Sequence, residues 1–295
     1  MLGDITQVLM TGLSQGSIYA LVGLGFSVAF IATRILNLAQ GSYSLWGGFV
    51  FLTMVTSYHI PMAIAFVLVL VVSAALGVAT DLLTNIRTKP WRPVSLDMAV
   101  LSTLALFVLF EGAAFLIWGA DPIRGPSLQR GVFSLFGAII LWQSLWMMVA
   151  TIVISISLHM FLKVTWMGRA MRACAQNPLM SHLLGINARR VGAFAFGLGA
   201  VIGATAGILV SPITWLDYQM GGFFMLNGIL AYLIGGEDKV AGPVVGGLLL
   251  GLIQNLLLLL PGTMGGLLKQ VVPMLVLIAI LVFRPHGLLS ARQAS

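Results

Sequence analysis

Residues 163–190 read KVTWMGRAMRACAQNPLMSHLLGINARR. This is the longest stretch of the chain that a lipid bilayer would exclude. The stretch has five of the fifteen Lys and Arg residues and no Asp or Glu, and apolar runs flank it on both sides. Its pattern predicts two short helices. The first covers roughly residues 167–176, and Asn177 caps the second, which Pro178 opens without losing a hydrogen bond. Gly185 is the residue type that ends such a helix.

This basic stretch permits two interpretations. Its second half has an apolar side, formed by residues at helical spacing: Leu179, Met180, Leu183, Leu184 and Ile186. A basic, amphipathic helical hairpin tethered to membrane segments at both ends is typical of a docking element on the cytoplasmic side. The alternative is a solvated loop that follows the positive-inside rule. The local sequence leaves both open.

The composition excludes a water-soluble globule. The 295 residues are 59% hydrophobic and 8% charged, with a mean hydropathy of +1.05, whereas soluble domains carry roughly 25% charged residues. The apolar runs are too long for strands and do not alternate, which predicts membrane helices. The basic residues lie at segment ends, so the net charge of +7 does not indicate a nucleic-acid surface. The chain has none of the common phosphate-loop, nucleophile or metal motifs, which predicts a non-enzymatic chain without its own cofactor or metal.

The apolar runs predict an all-α, polytopic bundle forming one transmembrane domain over residues 1–295. We place segments at residues 5–30, 36–56, 61–84, 97–119, 139–162, 188–212, 223–236, 241–260 and 267–284. The segment at 223–236 is short enough to re-enter rather than cross, so the prediction is eight or nine crossings. The N-terminus lacks a basic region before its apolar run, and we expect a retained first segment rather than a signal peptide.

The distribution of positive charge predicts the orientation. With the central loop in the cytoplasm, twelve of the fifteen basic residues lie inside and three outside, namely Arg124, Arg130 and Lys269. This arrangement puts the N-terminus outside and the C-terminus in the cytoplasm. The loop at 121–136 is then external, and it is either a contact for an external partner or a plain connector.

Glycines four residues apart recur in three segments. They are Gly12 and Gly16, then Gly199, Gly203 and Gly207, and finally Gly242 with Gly246 and Gly247 with Gly251. Such pairs let helices approach closely, so they predict a dense bundle without indicating transport.

The second segment has an unusually polar beginning. Asn37, Gln40, Ser42 and Tyr43 stand near its start, and glycines such as Gly41 weaken the helix there. Polar groups exposed to lipid are costly, so these side chains must face protein or a water-filled path. Broken polar membrane helices recur at substrate pathways, while hydrogen bonding between helices is the alternative.

Glu111 lies within the fourth segment. An acidic residue at that depth costs about 2.5–3.5 kcal/mol on insertion scales, which makes it a functional candidate. A neutral, hydrogen-bonded structural role is the alternative.

Five motifs in order resemble the permease subunits of ATP-binding-cassette importers for branched-chain amino acids, of the H type. They are Gly16-Ser-Ile-Tyr-Ala-Leu21, Asn37-Leu-Ala-Gln-Gly41, Gly168-Arg-Ala-Met-Arg-Ala173 with Leu184-Gly-Ile186, Gly235-Gly-Glu-Asp-Lys-Val-Ala-Gly-Pro243, and Arg284-Pro-His-Gly-Leu288. The resemblance covers nearly the whole chain. The family also contains permeases for urea, short amides and aromatic acids, so the resemblance does not identify the substrate.

The resemblance implies a set of partners and sites. A sister permease subunit, two ATP-binding subunits that hold ATP and Mg, and a periplasmic substrate-binding protein would complete a transporter in the bacterial inner membrane. Residues expected to couple to an ATPase are Gly168, Arg169, Arg172, Ala173, Ala175, Asn177, Pro178, Leu184, Gly185 and Ile186. Residues expected along the path are Gly16, Ser17, Tyr19, Asn37, Gln40, Gly41, Ser42, Tyr43 and Glu111. Gly235, Gly236 and Gly242 form the family-type turn.

Two other functional classes fit the composition. One is a secondary transporter driven by an ion gradient, with Glu111 as the ion or proton site. The other is a membrane scaffold without transport, which would tolerate apolar replacements at Asn37 and Gln40.

Overall fold

Helices dominate the fold. The computed structural model describes residues 2–84, 96–127, 131–135, 138–236, 240–259 and 264–283. The helices are α1 (Leu2–Thr33), α2 (Gln40–Thr56), α3 (Met62–Thr84), α4 (Leu96–Trp118), α5 (Trp142–Val164), α6 (Trp166–Gln176), α7 (Pro178–Leu183), α8 (Ala188–Val210), α9 (Met220–Gly235), α10 (Ala241–Leu256) and α11 (Met264–Phe283). Two strands, β1 (Val132–Leu135) and β2 (Ala138–Leu141), and a 3-10 turn at Leu257–Leu259 complete the described chain.

The helices confirm a polytopic membrane protein. Within the described residues, six helices are long and apolar enough to cross a membrane: Ile5–Thr33, Met62–Thr84, Asp97–Trp118, Trp142–Val164, Ala188–Val210 and Ala241–Leu259. Met220–Gly235 is apolar but shorter. Each of the predicted segments overlaps a helix, while the count of eight or nine crossings stays a prediction.

The bundle is built around two interior helices. α1 packs against α5, α8, α9 and α10, and α8 packs in addition against α2 and α3. Most residues of both are buried, whereas only 22% of the residues in the apolar windows of α3, α4 and α5 are buried. Those three helices therefore supply surface for lipid or for another subunit.

The contact between α1 and α10 confirms the predicted glycine packing. A Cβ added to Gly16 would stand 2.7 Å from the carbonyl oxygen of Gly247, and one on Gly12 would stand 3.1 Å from that of Gly251. Larger side chains would separate the two helices, since the atoms they meet belong to the backbone.

Two parts of the fold differ from the sequence prediction. The second helix begins at Gln40, not near residue 36, because Asn37 and its neighbours form a turn. The strands β1 and β2 pair in antiparallel register, Val132 opposite Leu141, where an all-α fold was predicted. Burial alternates along β2, but its sequence Ala-Ile-Ile-Leu is apolar at every position, so hydropathy does not distinguish it from the start of a membrane segment.

Candidate translocation path and coupling helices

The polar start of α2 is folded by its own side chains. Asn37 Oδ1 accepts a hydrogen bond from the Ala39 N–H at 3.1 Å, and Asn37 Nδ2 donates to the Tyr43 hydroxyl at 3.2 Å. The first bond is the two-residue turn that Asn side chains favour, and it delays the helix. The Leu38 N–H donates to Thr103 Oγ1 of α4, so the turn is also tied to a neighbouring helix.

Gln40 lies deep in the bundle. Its Nε2 donates to the carbonyl oxygen of Gly199 at 2.9 Å, and Gly199 is the middle residue of α8. A Cβ on Gly25 or Gly203 would press on the Gln40 amide and one on Gly199 would touch it, so these glycines form the pocket that holds it. Gln40 Oε1 is buried and has no hydrogen-bond partner within the described ranges. α2 therefore begins about halfway along the interior helix, with one acceptor left for a further donor.

The N-termini of α2 and α9 meet inside the bundle. A Cβ on Gly41 would overlap the carbonyl oxygen of Gly221, and one on Gly48 would touch Leu216. The two helices are therefore antiparallel, and each begins beside the first turns of the other. Helix N-termini carry free N–H groups and partial positive charge, and paired half-helices of this kind recur where transporters bind anionic groups.

Glu111 of α4 caps the start of α9. Its Oε1 accepts a hydrogen bond from the Gly222 N–H at 3.0 Å, in the first turn of that helix. The carboxylate is only partly buried. Beside it, the ring of Phe115 lies 5.1 Å from that of Tyr218. The structure thus gives Glu111 a hydrogen-bonded structural role. Because the side chain is partly exposed, it can also contact another group.

The remaining predicted path residues are buried within this subunit. Ser42 and Tyr43 are 0% and 1% exposed, and Ser17 and Tyr19 are 1% and 0% exposed. The Ser17 hydroxyl donates to the Leu13 carbonyl. These polar side chains face protein on all sides, as one of the two predicted environments requires. Their role in a path stays a prediction.

Tyr19 belongs to a polar network that sequence reasoning missed. Its hydroxyl donates to Gln254 Oε1 at 2.7 Å and accepts from Gln15 Nε2 at 2.6 Å. Gln254 Nε2 then donates to Asn227 Oδ1 at 2.8 Å. Asn255 Nδ2 donates to Gln15 Oε1 and closes the network across α1, α9 and α10. Several isolated amides in apolar segments were the available signal.

The two short helices of the basic stretch form as predicted. Thr165 caps α6 by accepting from the Gly168 N–H, and Asn177 Oδ1 caps α7 by accepting from the Met180 N–H at 3.0 Å. Gly185 has φ +81°. The chain then reverses with the two bonds of a Schellman motif, from the Ile186 N–H to the Ser181 carbonyl and from the Gly185 N–H to the His182 carbonyl.

α6 is fixed to the end of α5. A Cβ on Gly168 would collide with Leu162, and Arg172 Nη1 donates to the Leu162 carbonyl oxygen at 2.7 Å. Burial raises the pKa of the Cys174 thiol, and the hydrogen bond with Ser181 lowers this pKa by a smaller amount. The thiol is thus a packing group of low reactivity. α6 also packs against α1 and α8, so the hairpin is joined to three helices of the bundle.

The tip of the hairpin is exposed and apolar. The exposed fractions are 50% for Leu179, 54% for Met180, 71% for Leu183 and 79% for Leu184. The basic residues Arg169 and Arg172 are also exposed. Three further residues expected to contact an ATPase are partly buried, namely Ala173, Ala175 and Ile186. An apolar patch rimmed by charge is typical of a protein contact.

Comparison with known proteins decides the family. Residues 8–281 match the family model described as "Branched-chain amino acid transport system / permease component". The chain belongs to this permease family. It is 29% identical to the BraD permease protein of Pseudomonas aeruginosa over 96% of this chain and 95% of that protein. It is 27% identical to LivH of Escherichia coli K12, over 96% and 94%, and 26% identical to the probable LivH of Methanocaldococcus jannaschii, over 95% and 91%.

Family membership makes this permease a transport component rather than an enzyme. Within the described ranges, no group of three or more His, Cys, Asp or Glu side chains is placed to hold a metal ion.

The family-type turn of the permease lies between α9 and α10. Gly236 has φ +100°, and a Cβ on Gly235 would overlap the backbone of Gly242. Only glycine fits both requirements. Residues 237–239 and the predicted terminal motif at 284–288 lie outside the described residues.

Proposed function

We propose that this permease is one membrane subunit of an ATP-binding-cassette importer that carries branched-chain amino acids inward. The observation that carries the proposal is the α6–α7 hairpin, which presents exposed apolar side chains beyond the end of α5 and is fixed to that helix through Gly168 and Arg172. A patch of this kind marks a contact with a protein or with a membrane. The family match supports a partner within a transport system, and we propose that this partner is an ATPase.

In the proposed assembly, the chain pairs with a sister permease, and two ATP-binding subunits that hold ATP and Mg dock beneath. A substrate-binding protein delivers the solute from the periplasm. We propose eight or nine crossings, with the N-terminus outside and the C-terminus in the cytoplasm. The charge distribution supports this orientation, because Arg169, Arg172 and Lys163 then lie inside.

The surface around Glu111 supports a position for the sister subunit. Glu111 is partly exposed, while Val108 and Leu109 beside it on α4 are 61% and 60% exposed. A carboxylate that faces lipid is costly by about 2.5–3.5 kcal/mol. We therefore assign this face of α4 and α9 to the sister permease and to the path between the two subunits.

The mechanism we propose uses two states of the bundle. ATP binding closes the ATPase pair and moves the hairpin, which moves α5 as a rigid element. α1 and α8 pack on α5 and hold the start of α2, so the shift reaches the meeting point of α2 and α9. Coupling requires that the ATP-bound partner contacts one state better than the other.

The substrate class rests on the family, and one feature of the bundle is consistent with it. An amino acid carries a carboxylate, which the N-termini of α2 and α9 would attract once the bundle opens. Gln40 Oε1 offers an acceptor at the same place. No observation on the described residues favours the ion-gradient alternative, and the hydrogen bond from the Gly222 N–H already gives the Glu111 carboxylate a structural role.

Reconstitution tests the proposal. Proteoliposomes that contain this chain, its sister permease and the ATP-binding subunits are supplied with binding protein and radiolabelled leucine. We expect uptake that requires ATP and is indifferent to a collapse of the ion gradients. Uptake by the chain alone, driven by an ion gradient, would establish the secondary-transporter alternative instead.

A further inference from the structure

A basic cleft opens at the end of the bundle where α1 and α5 finish and α10 begins, and α6 closes one side of it. Its volume is about 360 Å³. Arg34, His159, Lys163 and Arg172 line it, and its described lining residues include no Asp or Glu. The like charges of the two arginines and the lysine repel one another, and an anion between them relieves that repulsion.

Two of the cations are held in place. Arg34 has φ +58°, a conformation that is rare outside glycine, and its guanidinium lies 5.4 Å from the centre of the Phe30 ring. Arg172 is anchored by its bond to the Leu162 carbonyl, which engages one of its five N–H donors. The cluster is therefore positioned before any ligand arrives.

The start of α10 adds to the positive potential. Val240 and Ala241, the N-cap and first residue of this helix, line the cleft, and the Val240 side chain makes no cap hydrogen bond. The backbone N–H groups of such a terminus favour an anion, most of all a phosphate.

The cleft also has an apolar side, which continues along α5. Ile31 and Leu162 contribute to its wall. On the adjoining side of α5, Ile156, Met160 and Val164 are 57%, 58% and 65% exposed. Lys163 marks the end of the membrane helix, so the cations stand at headgroup level and the exposed aliphatic side chains lie along the acyl region.

We propose that this cleft binds the phosphate headgroup of an anionic phospholipid, whose acyl chains lie along the exposed side of α5. Basic pockets between membrane helices are suited to such headgroups. Free phosphate shares the charge but would make no use of the aliphatic face. The site lies where α6 joins α5, so the bound lipid would stabilise the base of the coupling hairpin.

Lipid retention by the purified full-length chain tests the proposal. The delipidated protein in neutral detergent is titrated with cardiolipin, phosphatidylglycerol or phosphatidylcholine, and bound lipid is counted by native mass spectrometry. We expect preferential retention of the two anionic lipids. The double variant Arg34→Gln/Lys163→Gln should weaken retention about 30-fold, at roughly one charge's surface attraction for each residue.

The matched control removes two charges elsewhere on the same side. Arg189→Gln/Arg190→Gln changes exposed residues at the start of α8 that do not line the cleft, and it should retain lipid like the unmodified chain. Lys163→Arg keeps the charge and should also retain it. The melting temperature of each variant without lipid shows whether it is folded.

Three results would overturn the proposal. The first is an equal loss in the cleft and control variants, which would reduce the effect to general surface charge. The second is full displacement of the lipid by equimolar inorganic phosphate. The third is retention only after Glu237→Gln/Asp238→Asn, which would mean that the chain's own carboxylates take the place of the lipid. The test needs neither ATP nor transport, so its failure leaves the transport proposal unaffected.

Discussion

The α6–α7 hairpin and the meeting point of α2 and α9 are both places where short helices begin, and they are built in opposite ways. In the hairpin, each cap comes from a residue adjacent in sequence: Thr165 for α6 and Asn177 for α7. Inside the bundle, the start of α9 is capped by Glu111, which lies 111 residues earlier. The comparison teaches that a helix in water carries its own caps, whereas one in the membrane interior can borrow them from another helix.

The largest expected effect concerns the hairpin. Gly185→Glu should abolish ATP-driven uptake, since it forces a charged residue into φ +81° at the tip that we assign to ATPase contact. Gly119→Glu is the matched control, because Gly119 has φ +83° and both glycines have open space around them. Uptake in proteoliposomes and yield of folded protein are measured for both. Normal uptake by the Gly185 variant would remove the coupling assignment.

The next effect concerns the interior. Gly41→Val should destabilise the fold by about 1–3 kcal/mol or more, because its Cβ branches would overlap the backbone of α9. Gly112→Val in α4 meets nothing within 4 Å and should leave stability unchanged. Thermal unfolding of the purified chain compares them. Equal melting temperatures would mean that α2 and α9 do not approach as closely as described.

Glu111 separates the structural role from the ion-site alternative. Glu111→Gln keeps an oxygen that can accept from the Gly222 N–H, so we expect near-normal stability and uptake. Glu111→Ala loses the cap, which should be destabilising by about 1 kcal/mol. Melting temperature and uptake are measured together. A Gln variant that is stable but inactive would show that the carboxylate itself is needed, and would revive the ion-site hypothesis.

The smallest effect concerns the cap of α7. Asn177→Ala removes the acceptor for the Met180 N–H and should destabilise this short helix by about 1 kcal/mol. Because the hairpin is peripheral, we expect faster proteolysis there without a change in global melting temperature. Asn187→Ala removes the equivalent cap of α8 and serves as the comparison. A global shift for Asn177 would show that the hairpin is part of the folding core.

Local features of the fold were predictable from the sequence. The cap at Asn177, the Pro at the start of α7 and the glycine end at Gly185 all form as the sequence predicted. The Gly16 contact with α10 also follows from residue spacing. Each of these depends on residues within one turn or on the shape of one helix face.

The sequence by itself determined that the chain is a membrane bundle, where its apolar segments lie and that a capped basic hairpin interrupts them, because hydropathy and capping act over a few residues. Tertiary structure alone decided that Gln40 stands against the middle of α8, that Glu111 caps α9 and that Tyr19 joins Gln254. The physical reason is that a buried polar group in a bilayer must be satisfied from within the protein. Which distant residue satisfies it depends on helix neighbours that local sequence does not specify.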